Sequence, residues 1–272
     1  MVEMGSRRGA RAQEEISKLV VSVGQNQCDN DGWIAIMNIS SAIFDRSAPD
    51  LDSCPDESLP EFAFIGRSNV GKSSLLNMLA GKDGLARVSP TPGFTKLINI
   101  FTINKTWRLV DLPGYGYAHV AHKDRSRFNK SVANYLQHRT NLCCVFALID
   151  SGLPPQNIDL EFVRWLTAHS LPFALVFTKT DRVTPQKLEA NIAAFTDRIA
   201  ASFEHLPEIF TCSAKTGAGR NELLEMIDQS LAAEPLEPSA ETEPVTDDES
   251  AIGEQKITRV KHPEHLKHTR PW

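Results

Sequence analysis

The stretch Gly66-Arg67-Ser68-Asn69-Val70-Gly71-Lys72-Ser73 decides the fold of this 272-residue chain. It fits the pattern G-x-x-x-x-G-K-[ST], follows an apolar run at Glu61–Ile65 and opens a helical stretch at Lys72–Leu79. A strand, a glycine-rich turn and a helix in this order predict a phosphate-binding loop, because backbone N–H groups and the helix N-terminus point at the anion. In such a loop Lys72 reaches the β- and γ-phosphates, and the Ser73 hydroxyl ligates Mg²⁺.

Predicted strands and helices alternate along the chain after this loop. The further strands are Lys96–Ile103, Trp107–Val110, Leu142–Ile149, Phe173–Phe177 and Glu208–Thr211, and the further helices cover about 123–139, 156–169, 185–203 and 219–232. The first two of these strands form a hairpin that turns at Asn104-Lys105. Apolar strands separated by helices indicate an α/β fold in three layers, with a mostly parallel six-stranded sheet between helices. Ligands bind such sheets at the carboxyl ends of the strands, and each motif below directly follows or enters a predicted strand.

Two segments between the strands are suited to sense a γ-phosphate. In Asp111-Leu112-Pro113-Gly114, the aspartate can hold Mg²⁺ through water and the Gly114 amide can contact the γ-phosphate. In Thr91-Pro92-Gly93-Phe94-Thr95, a threonine can give its hydroxyl to Mg²⁺ and its amide to the γ-phosphate. We favour Thr95 over Thr91, because Gly93 just before Phe94-Thr95 permits a mobile loop. A threonine that only serves a turn is the alternative.

Two later segments select the base. In Thr178-Lys179-Thr180-Asp181, the Asp181 carboxylate can accept both N1–H and the 2-amino group of guanine, whereas adenine would leave these acceptors unpaired. Lys179 would lay its stem against the base and brace the phosphate-binding loop. In Ser213-Ala214-Lys215, the Ala214 N–H is placed to donate to guanine O6. Taken alone, Thr178–Asp181 could be a helix N-cap.

These motifs define the predicted site. The predicted catalytic residues are Lys72, Thr95 and Gly114, and the predicted metal ligands are Ser73, Thr95 and, through water, Asp111. The predicted nucleotide-binding residues are Gly66, Arg67, Ser68, Asn69, Val70, Gly71, Lys72, Ser73, Ser74, Gly93, Phe94, Thr95, Lys96, Leu97, Asp111, Leu112, Pro113, Gly114, Thr178, Lys179, Thr180, Asp181, Cys212, Ser213, Ala214 and Lys215.

Composition limits the remaining possibilities. A formal charge of -5 argues against a protein that coats nucleic acid by bulk charge, and five scattered cysteines without C-x-x-C spacing indicate reduced thiols in a cytosol. No run approaches the roughly 20 apolar residues of a membrane helix, so we expect a cytoplasmic protein with no membrane contact. Residues 1–36 and the acidic-then-basic tail 233–272 are predicted to be disordered around a domain at 37–232.

The motifs in this order resemble the translation-factor-related small GTPases. The fuller strings Pro60-Glu61 with Gly66–Ser73, Thr91-Pro92-Gly93 and Asp111-Leu112-Pro113-Gly114-Tyr115-Gly116-Tyr117-Ala118 look specifically like the EngB (YsxC/YihA) family, over about residues 37–232. The resemblance implies binding of GTP and GDP with Mg²⁺, a role in late assembly of the large ribosomal subunit through that subunit or its rRNA, and a need in cell division and septation. We expect a monomer.

The chain departs from the family pattern in two places, and its N-terminal residues point to a translation start inside the given sequence. Phe94 stands where the family usually has a basic or polar residue, and the tail after 232 is not a family hallmark. Met37–Phe44 looks like the usual family N-terminus, so we hypothesise that translation starts at Met37. Intact mass of the native protein beginning at Met1 would refute this.

Two residues suggest how hydrolysis proceeds. Tyr115 stands directly after Gly114, where many switches place a water-orienting Gln, and a phenol orients attacking water poorly. We therefore expect slow intrinsic turnover that a partner or a cation accelerates. Related GTPases with Asn at the position of Asn69 use it to hold K⁺; an Asn that only stabilises the loop turn is the alternative.

Several features leave alternatives open. Lys123, Arg125, Arg127 and Lys130, with His119 and His122 nearby, are either a face for rRNA phosphates or the solvated side of a helix. The histidines in 262–268 are a metal tract or part of a mobile tail. The rival functions are a P-loop ATPase or kinase, against which Asp181 and Ala214 argue, and a GTP-dependent interaction module in septation with negligible hydrolysis, which Tyr115 keeps open.

Overall fold

The computed structural model describes residues 37–86, 97–115, 122–203 and 206–232, with the backbone alone at 122–129 and Ser202. The strands are β1 Ala42–Ala48, β2 Glu61–Gly66, β3 Ile98–Ile103, β4 Trp107–Asp111, β5 Leu142–Asp150, β6 Phe173–Thr178 and β7 Ile209–Thr211. The helices are α1 Lys72–Ala80, α2 His122–His138, α3 Asn157–Ala168, α4 Pro185–Ile199 and α5 Arg220–Ala232, with short 3-10 turns at Thr180–Arg182 and Ala200–Ser202.

All strands of the described ranges form one sheet in the order β1-β3-β4-β2-β5-β6-β7. The pairs β2–β4, β2–β5, β5–β6 and β6–β7 are parallel, whereas β1–β3 and β3–β4 are antiparallel. The predicted α/β three-layer fold and the hairpin are therefore confirmed. Asn104 and Lys105 both adopt positive φ, 50° and 61°, in the three-residue connection 104–106, where the Thr106 N–H donates to Ile103 O at 3.0 Å.

The prediction of six strands was wrong by one, because the sheet of the described residues has seven. The additional strand is β1, in which only Ala42 and Ala48 at its ends are buried. It pairs with β3 along one side and forms the edge of the sheet, with Ile43 and Phe44 about half exposed. An edge strand with so little burial lacks the alternation of apolar and polar residues by which a sequence indicates a strand.

Helices cover both faces of the sheet. On β2, Phe62 and Phe64 pack with Leu residues of α1 and α5, whereas Ala63 and Ile65 face the opposite side with α2, α3 and α4. Because successive side chains of a strand point to opposite faces, an apolar strand between two helical layers buries every residue, as β2 does. This burial fixes the carboxyl ends of β2, β4, β5 and β6 along one edge of the sheet.

None of the described helices is both long enough and apolar enough to span a membrane.

Candidate nucleotide-binding site

The phosphate-binding loop runs from Gly66, the last residue of β2, to the start of α1 at Lys72. Gly71 precedes the helix with φ 105°, and Asn69 also adopts positive φ, 62°. A Cβ at Gly66 would lie 2.9 Å from Leu148 Cβ and from Val70 Cγ1, so only glycine fits where the loop leaves the sheet. The side chain of Val70 is buried, so this residue can offer a ligand only its backbone.

The Asp111–Gly114 segment lies directly against this loop. The Tyr115 N–H donates to Gly66 O at 3.2 Å, and Arg67 and Tyr115 form an isolated parallel bridge. A Cβ at Gly114 would lie 2.7 Å from Gly66 O, so the two backbones approach as closely as glycine allows. The structure therefore brings together the loop and the segment that the sequence assigned to the γ-phosphate. Leu112 is fully buried and its side chain belongs to the core.

Lys72 and Asp111 form an ion pair between the Lys72 ammonium and Asp111 Oδ1. Both residues are nearly buried, at 8% and 2% exposure, so each charge depends on the other for compensation. The Asn99 side-chain amide from β3 donates to Asp111 Oδ2 at 3.4 Å. The predicted cationic and metal-binding side chains are thus in direct contact.

The Thr178–Asp181 segment is anchored to the phosphate-binding loop. Thr178 Oγ1 lies 2.6 Å from Val70 O and 3.1 Å from Ile149 O, where it can donate to either carbonyl. The Lys179 ammonium donates to Asn69 O at 2.5 Å and to Asp150 Oδ2 at 2.6 Å. Lys179 therefore contacts the loop directly at Asn69.

The Ser213–Lys215 segment stands beside Asp181. The Ser213 hydroxyl, which is nearly buried, donates to Asp181 Oδ1 at 2.8 Å, while Asp181 itself is exposed. Thr180 N–H donates to Cys212 O at 3.2 Å, which joins the two segments through their backbones. Ala214 is partly exposed and Lys215 exposed, whereas the Cys212 side chain is buried.

Arg67 and Tyr115 point away from the loop towards α3. Arg67 Nε lies 3.0 Å from both carboxylate oxygens of Asp159, a residue that is 1% exposed. Burial raises the pKa of Asp159 to about 6, although Arg67 opposes this shift. The Tyr115 ring, 1% exposed, lies against Phe162, and burial raises the pKa of its hydroxyl well above the usual value, with Asp159 adding to the shift. Among the described residues this hydroxyl has no hydrogen bond of ordinary geometry.

Some predicted residues lie outside the described ranges. These are Thr91, Gly93, Phe94, Thr95 and Lys96, together with Gly116, Tyr117, Ala118 and His119. Leu97, the residue directly before β3, is 39% exposed. In the basic cluster Lys130 is exposed, whereas the structure describes only the backbone of His122, Lys123, Arg125 and Arg127. The tails 1–36 and 233–272 also lie outside the described ranges.

Three residues at this edge of the sheet were missed by sequence reasoning: Asn99, Asp150 and Asp159. Each contacts a predicted site residue that is distant in sequence, and Asp159 lies 92 positions from Arg67. Asp150 is the most informative, because it ends the apolar run of β5 with a carboxylate at the carboxyl edge of a parallel sheet. Its place at the end of a predicted strand could have identified Asp150 as a site residue, because ligands bind at the carboxyl ends of such strands.

The side chains near the loop fit a hydrated Mg²⁺ ion. Mg²⁺ prefers hard oxygen ligands and keeps several waters, and Ser73 and Asp111 offer a hydroxyl and a carboxylate beside the loop. In the same loop Ser68 Oγ is buried and has no hydrogen-bond partner among the described residues, as expected of a polar atom that faces a polar ligand.

The fold is an α/β fold in which a glycine-rich loop joins a strand to a helix and an Asp-x-x-Gly segment lies against that loop. This arrangement defines the class of P-loop GTPases. A family model described as a 50S ribosome-binding GTPase matches residues 61–179. The chain is 47% identical over 192 residues to the probable GTP-binding protein EngB of Christiangramia forsetii. The matched region covers 71% of this chain and 97% of that relative. The EngB protein of Bacteroides fragilis is also 47% identical, over 71% of this chain and 96% of its own length.

Solved structures agree with the fold. A crystal structure of a probable GTP-binding protein EngB superposes with a TM-score of 0.50 at 24% identity, covering 63% of this chain and 98% of that chain. A variant of Era from Aquifex aeolicus bound to GDP·AlF₄⁻ gives a TM-score of 0.50 at 26% identity, over 66% of this chain and 60% of that chain. The chain belongs to the EngB family of GTP-binding proteins. It binds GTP and GDP and is a GTPase, in a class that uses Mg²⁺.

Proposed function

We propose that this GTPase is a slow molecular switch that acts in assembly of the large ribosomal subunit, through a domain at residues 37–232. The observation that carries the switch is the contact of Gly114 with Gly66, because it places a segment suited to sense the γ-phosphate on the phosphate-binding loop. The ribosomal role is supported by membership of the EngB family and by the matching family model, which is described as 50S ribosome-binding. Cytoplasmic location and a monomeric state stay predictions.

The phosphate end of the site is assigned to the loop and to Asp111–Gly114. Backbone N–H groups of the loop and of the first turn of α1 cradle the phosphates, and the Lys72 ammonium turns from Asp111 to neutralise their charge. Ser73, Thr95 and, through water, Asp111 would hold Mg²⁺, which supplies further charge neutralisation when bound. The proposed catalytic residues Lys72, Thr95 and Gly114 act by positioning and charge, since phosphoryl transfer needs little covalent chemistry.

The base end is assigned to Asp181, Lys179 and Ala214. The Ser213 hydroxyl holds Asp181 Oδ1 at 2.8 Å, which orients the carboxylate before the base arrives. Guanine presents N1–H and a 2-amino group as two parallel donors to such a carboxylate, and a site built for hydrogen bonds rejects bases that lack them.

Replacement of Asp181 by Asn tests the base assignment. An amide can accept N1–H and donate to the 2-oxygen of xanthine, so Asp181→Asn should lower GTP affinity by about 100-fold and raise affinity for xanthosine triphosphate. Asp228→Asn, at an exposed carboxylate on α5, is the control and should leave both affinities unchanged. GTP binding by Asp181→Asn at the parent affinity would overturn the assignment.

Slow hydrolysis is supported by the burial of Tyr115. Its ring is 1% exposed against α3, so the residue after Gly114 cannot orient a water at the γ-phosphate in this arrangement. We further propose that Asn69, exposed in the loop, helps to hold K⁺ and so accelerates the reaction. Single-turnover rates in KCl should exceed those in NaCl, and Asn69→Ala should remove the difference; equal rates in the two salts would contradict the proposal.

Co-sedimentation tests the ribosomal role. The full chain, loaded with a non-hydrolysable GTP analogue or with GDP, is run on gradients with purified large ribosomal subunits. We expect the GTP-analogue form to travel with the subunits and the GDP form to stay at the top. Absence of binding in both states, with nucleotide binding intact, would favour the alternative of an interaction module that acts directly in septation.

A further inference from the structure

We propose that Asp150 is a positioning residue of the guanine site, which acts by holding the Lys179 ammonium against the phosphate-binding loop. Asp150 lies at the carboxyl end of β5, between the loop on one side and β6 on the other. Its Oδ2 accepts from Lys179 Nζ at 2.6 Å, and the same ammonium donates to Asn69 O at 2.5 Å. This inference rests on the base site proposed above.

The lysine needs such an anchor because its backbone is in the left-handed region. Lys179 has φ 62°, a conformation that costs a non-glycine residue free energy and persists only when the surroundings fix it. The loop residue whose carbonyl it binds, Asn69, also has φ 62°. One ammonium therefore holds together two strained backbone positions, one at each end of the nucleotide site.

The path of the lysine stem ties this anchor to the loop. A Cβ added at Gly71 would lie 3.6 Å from Lys179 Cε and 3.9 Å from Lys179 Cγ, so the stem passes over the last residue of the loop. With the ammonium fixed at its far end, the stem is ordered before nucleotide binds, which lowers the entropy lost on binding. The side chains of Lys179 and Asp150 are 21% and 17% exposed, so water screens their attraction only in part.

Asp150 also makes a second hydrogen bond, which the substitution used in the test must preserve. Its Oδ1 accepts from the Gly152 N–H at 3.0 Å and closes the turn after β5. Asp150→Asn retains an oxygen for this bond but offers Lys179 an amide in place of a carboxylate. The turn is preserved, whereas the ion pair is removed.

A double-mutant cycle separates the two roles. We expect Asp150→Asn to weaken GTP and GDP by the same factor, about 10- to 100-fold, because the defect lies at the base end and a charge-assisted bond is lost. In a Lys179→Met background the same change should alter affinity by less than about twofold, since its partner is gone. In a Lys187→Met background, where an exposed lysine of α4 outside the site is removed, the full loss should persist.

The outcomes distinguish this inference from the site on which it rests. Equal losses from Asp150→Asn in the Lys179→Met and parent backgrounds, or no loss in the parent, would overturn the positioning role and leave the base site standing. No change in affinity from Lys179→Met alone would overturn both. Should Asp150→Asn fail to fold, Asp150→Ser also keeps an oxygen for Gly152 and completes the same cycle.

Discussion

The Tyr115 ring packs on the Phe162 ring with centroids 4.7 Å apart, and this contact turns the residue after Gly114 into the core. The Tyr115 backbone meanwhile stays hydrogen-bonded to Gly66 of the phosphate-binding loop. A side chain at this position can therefore link the nucleotide site to α3, but it does not face the phosphates.

Tyr115→Phe should leave the rate of GTP hydrolysis within about twofold of the parent. The hydroxyl faces the buried Asp159 carboxyl but makes no hydrogen bond of ordinary geometry among the described residues, so its removal should shift the melting temperature by only a few degrees. Single-turnover kinetics and thermal melting check both expectations. A drop in rate of more than tenfold would show that the hydroxyl takes part in hydrolysis.

The buried Asp159 makes stability depend on pH. Its pKa is about 6 in the folded protein, above its ordinary value of 3.8, so it adds stability below about pH 4 that is lost as the pH rises through 6. Arg67 and Tyr115 face this carboxyl, and Asp150 adds repulsion. Between about pH 4.5 and about pH 7.5, the free energy of unfolding of the parent should fall by about 2 kcal/mol relative to that of Asp159→Asn. Urea denaturation at both pH values measures this difference, and a constant difference would refute it.

Gly219 and Gly217 form a matched pair for the loop that carries Ser213–Lys215. Both have positive φ, 79° and 81°, but a Cβ at Gly219 would overlap Thr211 O and lie 2.6 Å from Cys212 Sγ. A Cβ at Gly217 would meet no atom of the described residues within 4 Å. Gly217→Ala should cost only backbone strain, about 1 kcal/mol, with nucleotide affinity kept. Gly219→Ala should cost more and weaken GTP and GDP together. Isothermal titration and melting curves report this, and equal effects at the two positions would count against it.

Arg139 should matter for stability and not for nucleotide binding. It is 7% exposed and donates to both carboxylate oxygens of the fully buried Glu61, through Nη2 at 2.6 Å and Nε at 2.9 Å. Glu61 starts β2, so this pair lies at the end of the strand opposite the phosphate-binding loop. Arg139→Met leaves Glu61 with less compensation and should lower the free energy of unfolding by about 3 kcal/mol.

The control for this change is nucleotide affinity. Under conditions in which Arg139→Met is folded, its dissociation constant for GDP should match that of the parent within about twofold. A larger loss would mean that the two ends of β2 are coupled.

The amino-acid sequence by itself determined the parts of this protein whose demands are local. Gly66–Ser73 encodes its own loop, because glycine positions, the lysine and the helix start are set by spacing along one stretch of chain. The alternation of apolar strands and helices determined the layers in the same way, and Asn104, a residue type that tolerates positive φ, marked the hairpin turn.

Only the tertiary structure decided which distant groups meet. The strand β1 escaped notice because an edge strand buried only at its ends has no periodic pattern. The partners of Lys179 and Arg67, Asp150 and Asp159, depend on the register of parallel strands and on where α3 packs, and no local spacing records either. Tyr115 was expected to be a poor orienter of water from its chemistry alone, but its burial against Phe162 arises from packing between elements far apart in the chain. Spacing fixes backbone conformation over a few residues, whereas side-chain partners are fixed by the packing of the whole sheet.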